Sequence, residues 1–319
     1  MIVATVSETF DITIIINTYN RPRELARTIE ALRRQRGTER WRTEILVVDD
    51  GSTVSVAAAL REAGLSDSVE LIERTHRGAG AARNAGVERA RGKWLLFLGD
   101  DIVGGPDLVS SHAAFLAEAE DRQEKRISLG YCHWAPGRRS KPFRELARAH
   151  HFDGLEARQE LDFRRFYTAN VALPRRALDE AGPFDEAVRI YWEDTEMGYR
   201  LERAGWRLIY NPAASAEHIH PPASVAEVIR RQEMIGFGGC WFYAKHPRPE
   251  VERVVFWPGT RDAAPGPEWR RRLGCLAAEA LERIAPNSKT LKRLYARLFF
   301  SARCKGVAEG RKAFPTAAI

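Results

Sequence analysis

The sequence predicts an α/β protein built on a mostly parallel β-sheet. Short apolar runs rich in β-branched residues alternate with helical patterns over the first hundred residues. Three of these runs end in polar or acidic residues, namely "DITIIINT", "TEILVVDD" and "KWLLFLGDD". In open sheets of this kind, ligands bind beyond the carboxyl ends of the strands. We therefore expect a nucleotide-binding site at this edge of the sheet.

The elements of the predicted sheet follow in order. Strands are predicted over residues 11–18, 43–50, 69–74 and 93–101. Helices are predicted between them over residues 20–35, 53–64 and 78–92. Pro22 fits the first turn of the first helix, and Gly64 fits the end of the second. The alternation favours right-handed crossovers between parallel strands.

Beyond Pro106 the pattern is less regular. We predict a helix over 107–120, a strand over 126–135, a strand broken at Pro174 and followed by a short helix, a helix over 194–205 and a strand over 206–212. From Val225 onward the sequence is helical and basic.

The charge is distributed unevenly along the 319 residues. Residues 221–319 contain 18 Lys or Arg and nine Asp or Glu, a net charge of +9. The whole chain carries +7, so residues 1–220 carry −2. With the Pro221-Pro222 pair, this shift predicts a catalytic domain over 1–222 and a basic helical region over 223–319. The basic region suits either an anionic partner or a solvated arginine-rich surface.

Composition excludes several classes of protein. The four cysteines are far apart and form no CxxC pair, which argues against a zinc site or a disulfide framework and suits a reducing compartment. The first residues lack the basic and apolar regions of a signal peptide, and no apolar run approaches the length of a membrane span. We therefore expect a cytoplasmic protein.

The acids at the strand ends are candidate ligand-binding residues. Asp100 and Asp101 follow an apolar strand, and two adjacent carboxylates repel unless a cation or hydroxyl donors neutralise them. They suit Mg²⁺ or Mn²⁺ beside a diphosphate, and equally a helix N-cap. Asp50, after the second strand, suits either a nucleoside or an Asx turn. Arg83 follows a glycine-rich helix start that suits phosphate, but the glycines do not form the spaced dinucleotide fingerprint.

The stretch from Tyr191 to Pro221 contains a second candidate cluster. Glu193, Asp194 and Glu196 crowd the first turn of a predicted helix, which is more acid than favourable interaction with the helix dipole requires. A carboxylate at the mouth of a site can act as a general base. His218 and His220 follow the next strand, and one imidazole there can complete a metal site, although a single histidine is more often structural.

Together these segments resemble the inverting glycosyltransferases of family 2, which have the GT-A nucleotide-diphospho-sugar transferase fold. The resemblance covers about residues 10–220. It rests on an ordered set of motifs: "TIIINTYNRP", "EILVVDDGS", "GAGAARNAG", "KWLLFLGDD", "GPFDE" and "YWEDTEMGYRLERAGW". One departure is that Gly99 precedes Asp100 and Asp101 where many members have a third acid or D-x-D.

The resemblance implies a role for each matching residue. Asp194 would be the catalytic base, with Glu193 beside it as the other catalytic candidate. Asp101 would hold Mg²⁺ or Mn²⁺, and His218 fits the family spacing for a second ligand better than His220. Trp192 and Asn170 are candidates for the acceptor side. The implied donor-nucleotide contacts are Thr18, Tyr19, Arg21, Asp50, Arg83 and Asp100.

The resemblance predicts a metal-dependent transfer of a sugar from a nucleotide-diphospho-sugar to an acceptor hydroxyl, in the synthesis of a polysaccharide, glycolipid or other glycoconjugate. UDP is the expected carrier, with GDP and dTDP open. The alternatives are a nucleotidyltransferase on a similar sheet and a basic nucleic-acid-binding protein. A nucleotidyltransferase usually has a basic glycine-rich loop after the first strand, and this chain has "NTYNRP" there, which argues against that alternative. No zinc-finger or RNP-like motif supports nucleic-acid binding.

A basic amphipathic helix is predicted near the C-terminal end. Leu291, Tyr295, Leu298 and Ala302 recur at helical spacing, with Leu294 and Phe299 beside them. Lysines and arginines fill much of the remaining surface. The apolar face is expected either to pack in the protein core or to attach the protein peripherally to an anionic inner membrane face.

Overall fold

The structure is a computed structural model that describes residues 10–135, 142–146, 152–187, 191–220, 224–256, 258–261 and 266–315. These residues divide into two compact units. The first contains the described residues up to 135, those of 152–187 and those of 193–220. The second contains 142–146, 191–192 and everything described from 224 onward. The functional division at residue 222 stays a prediction.

The first unit contains one nine-stranded sheet in the order β3-β2-β1-β4-β8-β6-β9-β5, with β7 paired to β9. The strands are β1 (Phe10–Thr18), β2 (Thr43–Asp49), β3 (Glu70–Glu73), β4 (Gly92–Gly99), β5 (Ile102–Gly104), β6 (Arg126–Trp134), β7 (Glu160–Leu161), β8 (Asn170–Pro174) and β9 (Arg207–His218). The helices of the whole chain are α1 (Pro22–Leu32), α2 (Val56–Glu62), α3 (Ala79–Arg89), α4 (Leu108–Asp121), α5 (Pro142–Leu146), α6 (Arg175–Ala181), α7 (Glu193–Arg203), α8 (Val225–Lys245), α9 (Pro249–Val255), α10 (Glu268–Ile284) and α11 (Lys289–Ala313).

The parallel part of the sheet aligns the predicted ligand edge. β1 lies between β2 and β4, and all three are parallel. Thr18 lies opposite Asp49, and Asn17 lies opposite Gly99. The carboxyl ends of these strands therefore meet at one edge, as the sequence predicts, and Asp50 and Asp100 follow there.

The sheet also contains antiparallel strands that the sequence analysis does not predict. β8 is inserted antiparallel between β4 and β6, and β5 and β7 are antiparallel to β9. β9 continues to His218, beyond the predicted end at residue 212. Its second half contains small and polar residues, and pairing with β5 and β6 makes it a strand. This extension brings His218 opposite Ile102, next to the acidic pair.

The glycine-rich helix α3 packs closely on the sheet. A Cβ on Gly86 would lie 2.5 Å from the side chain of Ile15 in β1. The helix buries glycines and alanines with Arg83 and Asn84 and has almost no amphipathic character. Close helix–sheet packing therefore explains part of the small-residue pattern that the sequence analysis associates with phosphate.

The second unit is helical, and α8 and α11 cross at glycines. A Cβ on Gly306 would lie 1.9 Å from the carbonyl oxygen of Glu233, so only glycine permits this approach. The apolar face of α11 is buried, with Leu291, Tyr295 and Ala302 fully inaccessible to solvent. Among the helices of the described residues, we find none that is both long and apolar enough to span a membrane.

Candidate active site

An ion cluster forms at the carboxyl ends of β1 and β4. The hydroxyl of Thr18 donates to Asp100 Oδ2 at 2.8 Å. Arg21, at the start of α1, reaches both acids, with Nη1 3.2 Å from Asp100 Oδ1 and 3.0 Å from Asp101 Oδ2. Thr28 donates to the carbonyl oxygen of Asp100 at 2.9 Å. Both acids are buried, so their charge depends on these partners.

The two adjacent acids have opposite pKa shifts. Burial and the charge of Asp101 raise the pKa of Asp100 to about 7, although Arg21 and Thr18 act in the other direction. Burial would also raise the pKa of Asp101, but the hydrogen bond and charge of His218, with the charge of Arg21, lower it. Asp101 is therefore the carboxylate that stays ionised at neutral pH.

The structure brings His218 to the acidic pair. His218 Nε2 lies 3.1 Å from Asp101 Oδ2, and the indole of Trp134 stacks on the imidazole with ring centroids 4.4 Å apart. His220 instead approaches Glu24, with Nδ1 3.2 Å from Oε1. β9 carries His218 to this position, and stacking on Trp134 in β6 fixes the plane of the ring.

Asp101 and His218 fit part of a divalent cation site. Two neighbouring ligands, each about 2.1 Å from an octahedral ion, lie about 3 Å apart, close to the observed separation. Within the described part of the chain, no group of three or more His, Cys, Asp or Glu side chains is placed to hold a metal. Such two-ligand sites are typical of ions that also bind substrate phosphates and water.

A second group of side chains surrounds Asp50. Its oxygens accept from the backbone N–H groups of Arg77 at 3.1 Å and Gly78 at 2.8 Å, and His76 Nδ1 lies 2.9 Å from Oδ2. The phenol ring of Tyr19 stacks on His76 with centroids 4.4 Å apart and is 43% exposed. Asp50 thus orders the loop before α3, and Tyr19 and His76 present aromatic faces beside it.

The three acids of α7 have different partners. Glu193 Oε1 accepts from Arg83 Nη1 at 3.0 Å, and both side chains are buried. Glu196 is fully buried and pairs with Arg200, which also donates to the carbonyl oxygens of Gly182 and Pro183. Glu193 and Glu196 are therefore neutralised by arginines.

Asp194 differs from both. Its Oδ1 accepts from the backbone N–H of Thr195 at 2.7 Å, and within the described residues no Lys or Arg forms an ion pair with its carboxylate. Burial and the charge of Glu193 raise the pKa of Asp194 to about 6, while Arg83 acts to lower it. A carboxylate without a cationic partner and with a pKa just below neutrality has the properties of a general base.

The residues before α7 have an unusual backbone conformation. Tyr191 and Trp192 have φ values of 49° and 83°, in the left-handed region that non-glycine residues seldom adopt. Trp192 belongs to the second unit, where its indole N–H donates to the carbonyl oxygen of Ile235 at 2.8 Å. Such strain concentrates at functional sites, and here it directly precedes Glu193. An acceptor contact for Trp192 stays a prediction.

Asn170, the other candidate for the acceptor side, is only 1% exposed. An acceptor role for it stays a prediction. Its Oδ1 lies 2.9 Å from His112 Nε2, and its amide donates to the carbonyl oxygen of Ala214 at 2.9 Å. Burial lowers the pKa of His112 to about 4, so the histidine is neutral. Asn170 satisfies polar groups inside the sheet, because β8 turns its side chain inward.

Sequence reasoning missed three residues of the site: Trp134, His76 and Arg200. Trp134 is the last residue of β6, and His76 follows β3. The expectation that ligands bind beyond strand ends could therefore have identified both residues. No sequence signal identified the pairing of Arg200 with Glu196 beyond their i, i+4 spacing.

Comparison with known proteins shows the family. Residues 13–125 match the model of Glycosyl transferase family 2, and residues 138–255 match that of Glycosyl transferase family group 2. The chain belongs to the family 2 glycosyltransferases. Family membership favours glycosyl transfer over the nucleotidyltransferase and nucleic-acid-binding alternatives.

Curated relatives of this family 2 glycosyltransferase include large synthases. The hyaluronan synthase of Pasteurella multocida is 28% identical over 254 residues, covering 69% of this chain and 25% of that protein. The validoxylamine A glucosyltransferase of Streptomyces hygroscopicus subsp. jinggangensis (strain 5008) is 28% identical over 222 residues, covering 61% of this chain and 52% of that protein. The chain thus spans between a quarter and about half the length of these relatives.

Solved structures confirm the GT-A fold. The mannosyltransferase PcManGT from Pyrobaculum calidifontis, in complex with GDP-Man and Mn²⁺, has a TM-score of 0.59 at 18% identity, over 98% of this chain and 90% of that one. TarS 1-349 from S. aureus, in complex with UDP-GlcNAc, has a TM-score of 0.58 at 13% identity, over 95% of this chain and 92% of that one. At such low identities the likeness concerns the fold alone.

Proposed function

We propose that this protein transfers a sugar from a nucleoside diphosphate sugar to an acceptor hydroxyl, with inversion at the anomeric carbon. The observation that carries the proposal is the different pairing of the α7 acids. Arginines pair with Glu193 and Glu196, while Asp194 has no Lys or Arg partner among the described residues and a pKa raised to about 6. Asp194 belongs to the same compact unit as the ion cluster of Asp100, Asp101 and Arg21.

The donor diphosphate would bind at the ion cluster. Arg21 is a cation at the sheet edge that can bind phosphate oxygens, and Thr18 and Asp100 are polar groups beside it. Tyr19 and His76 offer aromatic faces for the nucleobase next to Asp50. Arg83 donates a hydrogen bond to Glu193. TarS has been solved with UDP and UDP-GlcNAc, and PcManGT with GDP-Man. We favour a UDP-sugar for this chain.

Asp101 and His218 would hold Mg²⁺ or Mn²⁺. The fit rests on a carboxylate kept ionised at neutral pH and an imidazole 3.1 Å away, oriented by Trp134. When bound, such an ion neutralises charge on a leaving diphosphate. Arg21 contacts the same Asp101 oxygen that faces His218, so we expect Arg21 to turn toward the donor phosphates.

Asp194 would act on the acceptor. Its Oδ2 takes the proton of the acceptor hydroxyl as the hydroxyl oxygen attacks the anomeric carbon of the donor sugar. The bond from that carbon to the diphosphate oxygen breaks on the opposite face, which inverts the configuration. The electron pair of the broken bond stays on the diphosphate. No covalent enzyme intermediate is needed.

The acceptor is expected to be a sugar or a similar polyol. Relatives named as hyaluronan and chondroitin synthases make polysaccharides, and another is named for a glucosyl transfer to validoxylamine A. These names favour a glycan, lipid-linked or small-molecule acceptor with free hydroxyl groups.

A thermal-shift screen tests the donor site. Ligands that bind the folded state raise the melting temperature by mass action. We expect UDP-sugars to raise it more with Mn²⁺ than without, and Asp101→Asn to abolish the Mn²⁺ effect. Asp121→Asn, an exposed acid at the end of α4, is the matched control and should behave as wild type. No shift with any UDP-, GDP- or dTDP-sugar, with or without Mn²⁺, would contradict the proposal.

A further inference from the structure

Helix α10 exposes a row of large apolar side chains. Trp269, Leu273, Leu276 and Ile284 are 57%, 56%, 62% and 81% exposed. Their spacings of four, seven and fifteen residues from Trp269 put them on one face of the helix. The corresponding row on α11 is buried, so exposure is not general to the helices of this unit.

The outward row is separate from the face that anchors α10. Ala278 is fully buried, and Cys275 and Leu281 pack against the same hydrophobic cluster, which contains Tyr295 and Leu298 of α11. α10 therefore has two apolar faces, and the internal one accounts for its packing. A four-residue outward row of this size is unusual on a helix that only faces water.

Basic side chains flank the outward row. By helical periodicity, Arg270 lies on one side of it, and Arg272 and Arg283 lie on the other, where the exposed Glu268 and Glu279 border Arg272. Neither Arg270 nor Arg283 has an acidic partner within the described residues, and Arg272 lies 3.8 Å from Glu268. Within α11, no acid occurs from residue 289 to residue 305, and its lysines and arginines at 292, 293 and 297 are exposed.

We propose that α10 docks on an anionic lipid surface, with Trp269, Leu273, Leu276 and Ile284 inserted at the level of the headgroups. A helix with Trp and Leu on one face and arginines beside it is typical of interfacial membrane binding. The net charge of +9 over residues 221–319 matches a negative surface. The same charge opposes docking of two copies through this face, because like charges would meet.

The sequence left open whether the apolar face of α11 packs in the core or binds a membrane, and the structure shows that it packs in the core. The basic amphipathic pattern of α11 belongs to a helix whose apolar face is already in the core. The inference does not depend on the proposed transfer reaction, since it rests on side chains of the second unit alone.

Vesicle co-sedimentation with the full chain tests the proposal. We expect binding to vesicles of phosphatidylcholine with phosphatidylglycerol, weakened by salt, and little binding to phosphatidylcholine alone. The double variant Leu273→Glu/Leu276→Glu should lower the partition coefficient by at least about tenfold, since each exposed leucine contributes apolar area to insertion. Arg270→Glu/Arg283→Glu should lower it by at least about thirtyfold on anionic vesicles, since two basic residues at roughly 1 kcal/mol each are lost and their charges are reversed.

The controls separate docking from misfolding and from self-association. Val54→Glu changes an apolar side chain that is 45% exposed in the first unit and should leave vesicle binding unchanged. All variants should keep the wild-type melting temperature, because the substituted side chains are exposed. Equal vesicle binding by the Leu273→Glu/Leu276→Glu variant would overturn the proposal. The absence of binding to anionic vesicles at low salt would also overturn it. This holds whether light scattering finds a monomer or a dimer that the Leu273→Glu/Leu276→Glu variant dissociates.

Discussion

At the scale of single residues, one helical turn contains three acids with different partners. Glu193 pairs with Arg83, Glu196 pairs with Arg200, and Asp194 has no Lys or Arg partner among the described residues. The sequence predicted the cluster and favoured Asp194 as base, but pairing of its neighbours could not be predicted. Arg83 is 110 residues from Glu193 in the chain, so only the tertiary fold brings them together.

The raised pKa of Asp194 predicts that the stability of the protein depends on pH. The pKa of Asp194 is about 6 in the folded protein, against an ordinary value of 3.8. The free energy of unfolding therefore falls as the pH rises through this window. Above it, the ionised carboxylate costs about 1–3 kcal/mol. Asp194→Asn should therefore raise the melting temperature at pH 7.5, and the difference should vanish below pH 4. A lower melting temperature of the variant at pH 7.5 would show that the carboxylate is stabilising.

At the scale of elements, the parallel strands β1, β2 and β4 and their terminal acids could be predicted because each is a continuous apolar run. The short β5 and the second half of β9 could not. Their residues are small or polar, and only pairing with neighbouring strands makes them extended. Since β9 carries His218, the sequence could nominate a histidine ligand but not the element that positions it.

The crossing of α8 and α11 predicts a sharp steric effect. Gly306→Ala would place a Cβ 1.9 Å from the Glu233 carbonyl oxygen, a backbone atom that cannot rotate away. Overpacking of this kind costs about 1–3 kcal/mol. We expect calorimetry to show a melting temperature lower by several degrees. Gly266→Ala is the matched control, because its Cβ would meet only Ser301 Oγ at 3.7 Å. Equal melting temperatures for both variants would contradict the close crossing.

At the scale of the whole molecule, the GT-A fold and the charge asymmetry could both be predicted, but the exposed surface could not. Helical periodicity identified an apolar row on α11 and could not tell that it is buried, because burial depends on which helices pack together. α10 has apolar residues on two faces, which weakens its periodic signal and hides the outward row in the sequence. Composition therefore located the basic region, and the structure located its apolar row.

The central claim is that Asp194 is the base of a glycosyl transfer reaction. Its most direct test is the rate of UDP-sugar hydrolysis at saturating donor and Mn²⁺, with water as acceptor, in wild type, Asp194→Asn and the control Asp179→Asn, an exposed acid of α6. We predict a rate lower by about 10²–10⁴-fold for Asp194→Asn with donor affinity retained, and a wild-type rate for the control. A rate for Asp194→Asn within a few-fold of wild type would contradict the claim.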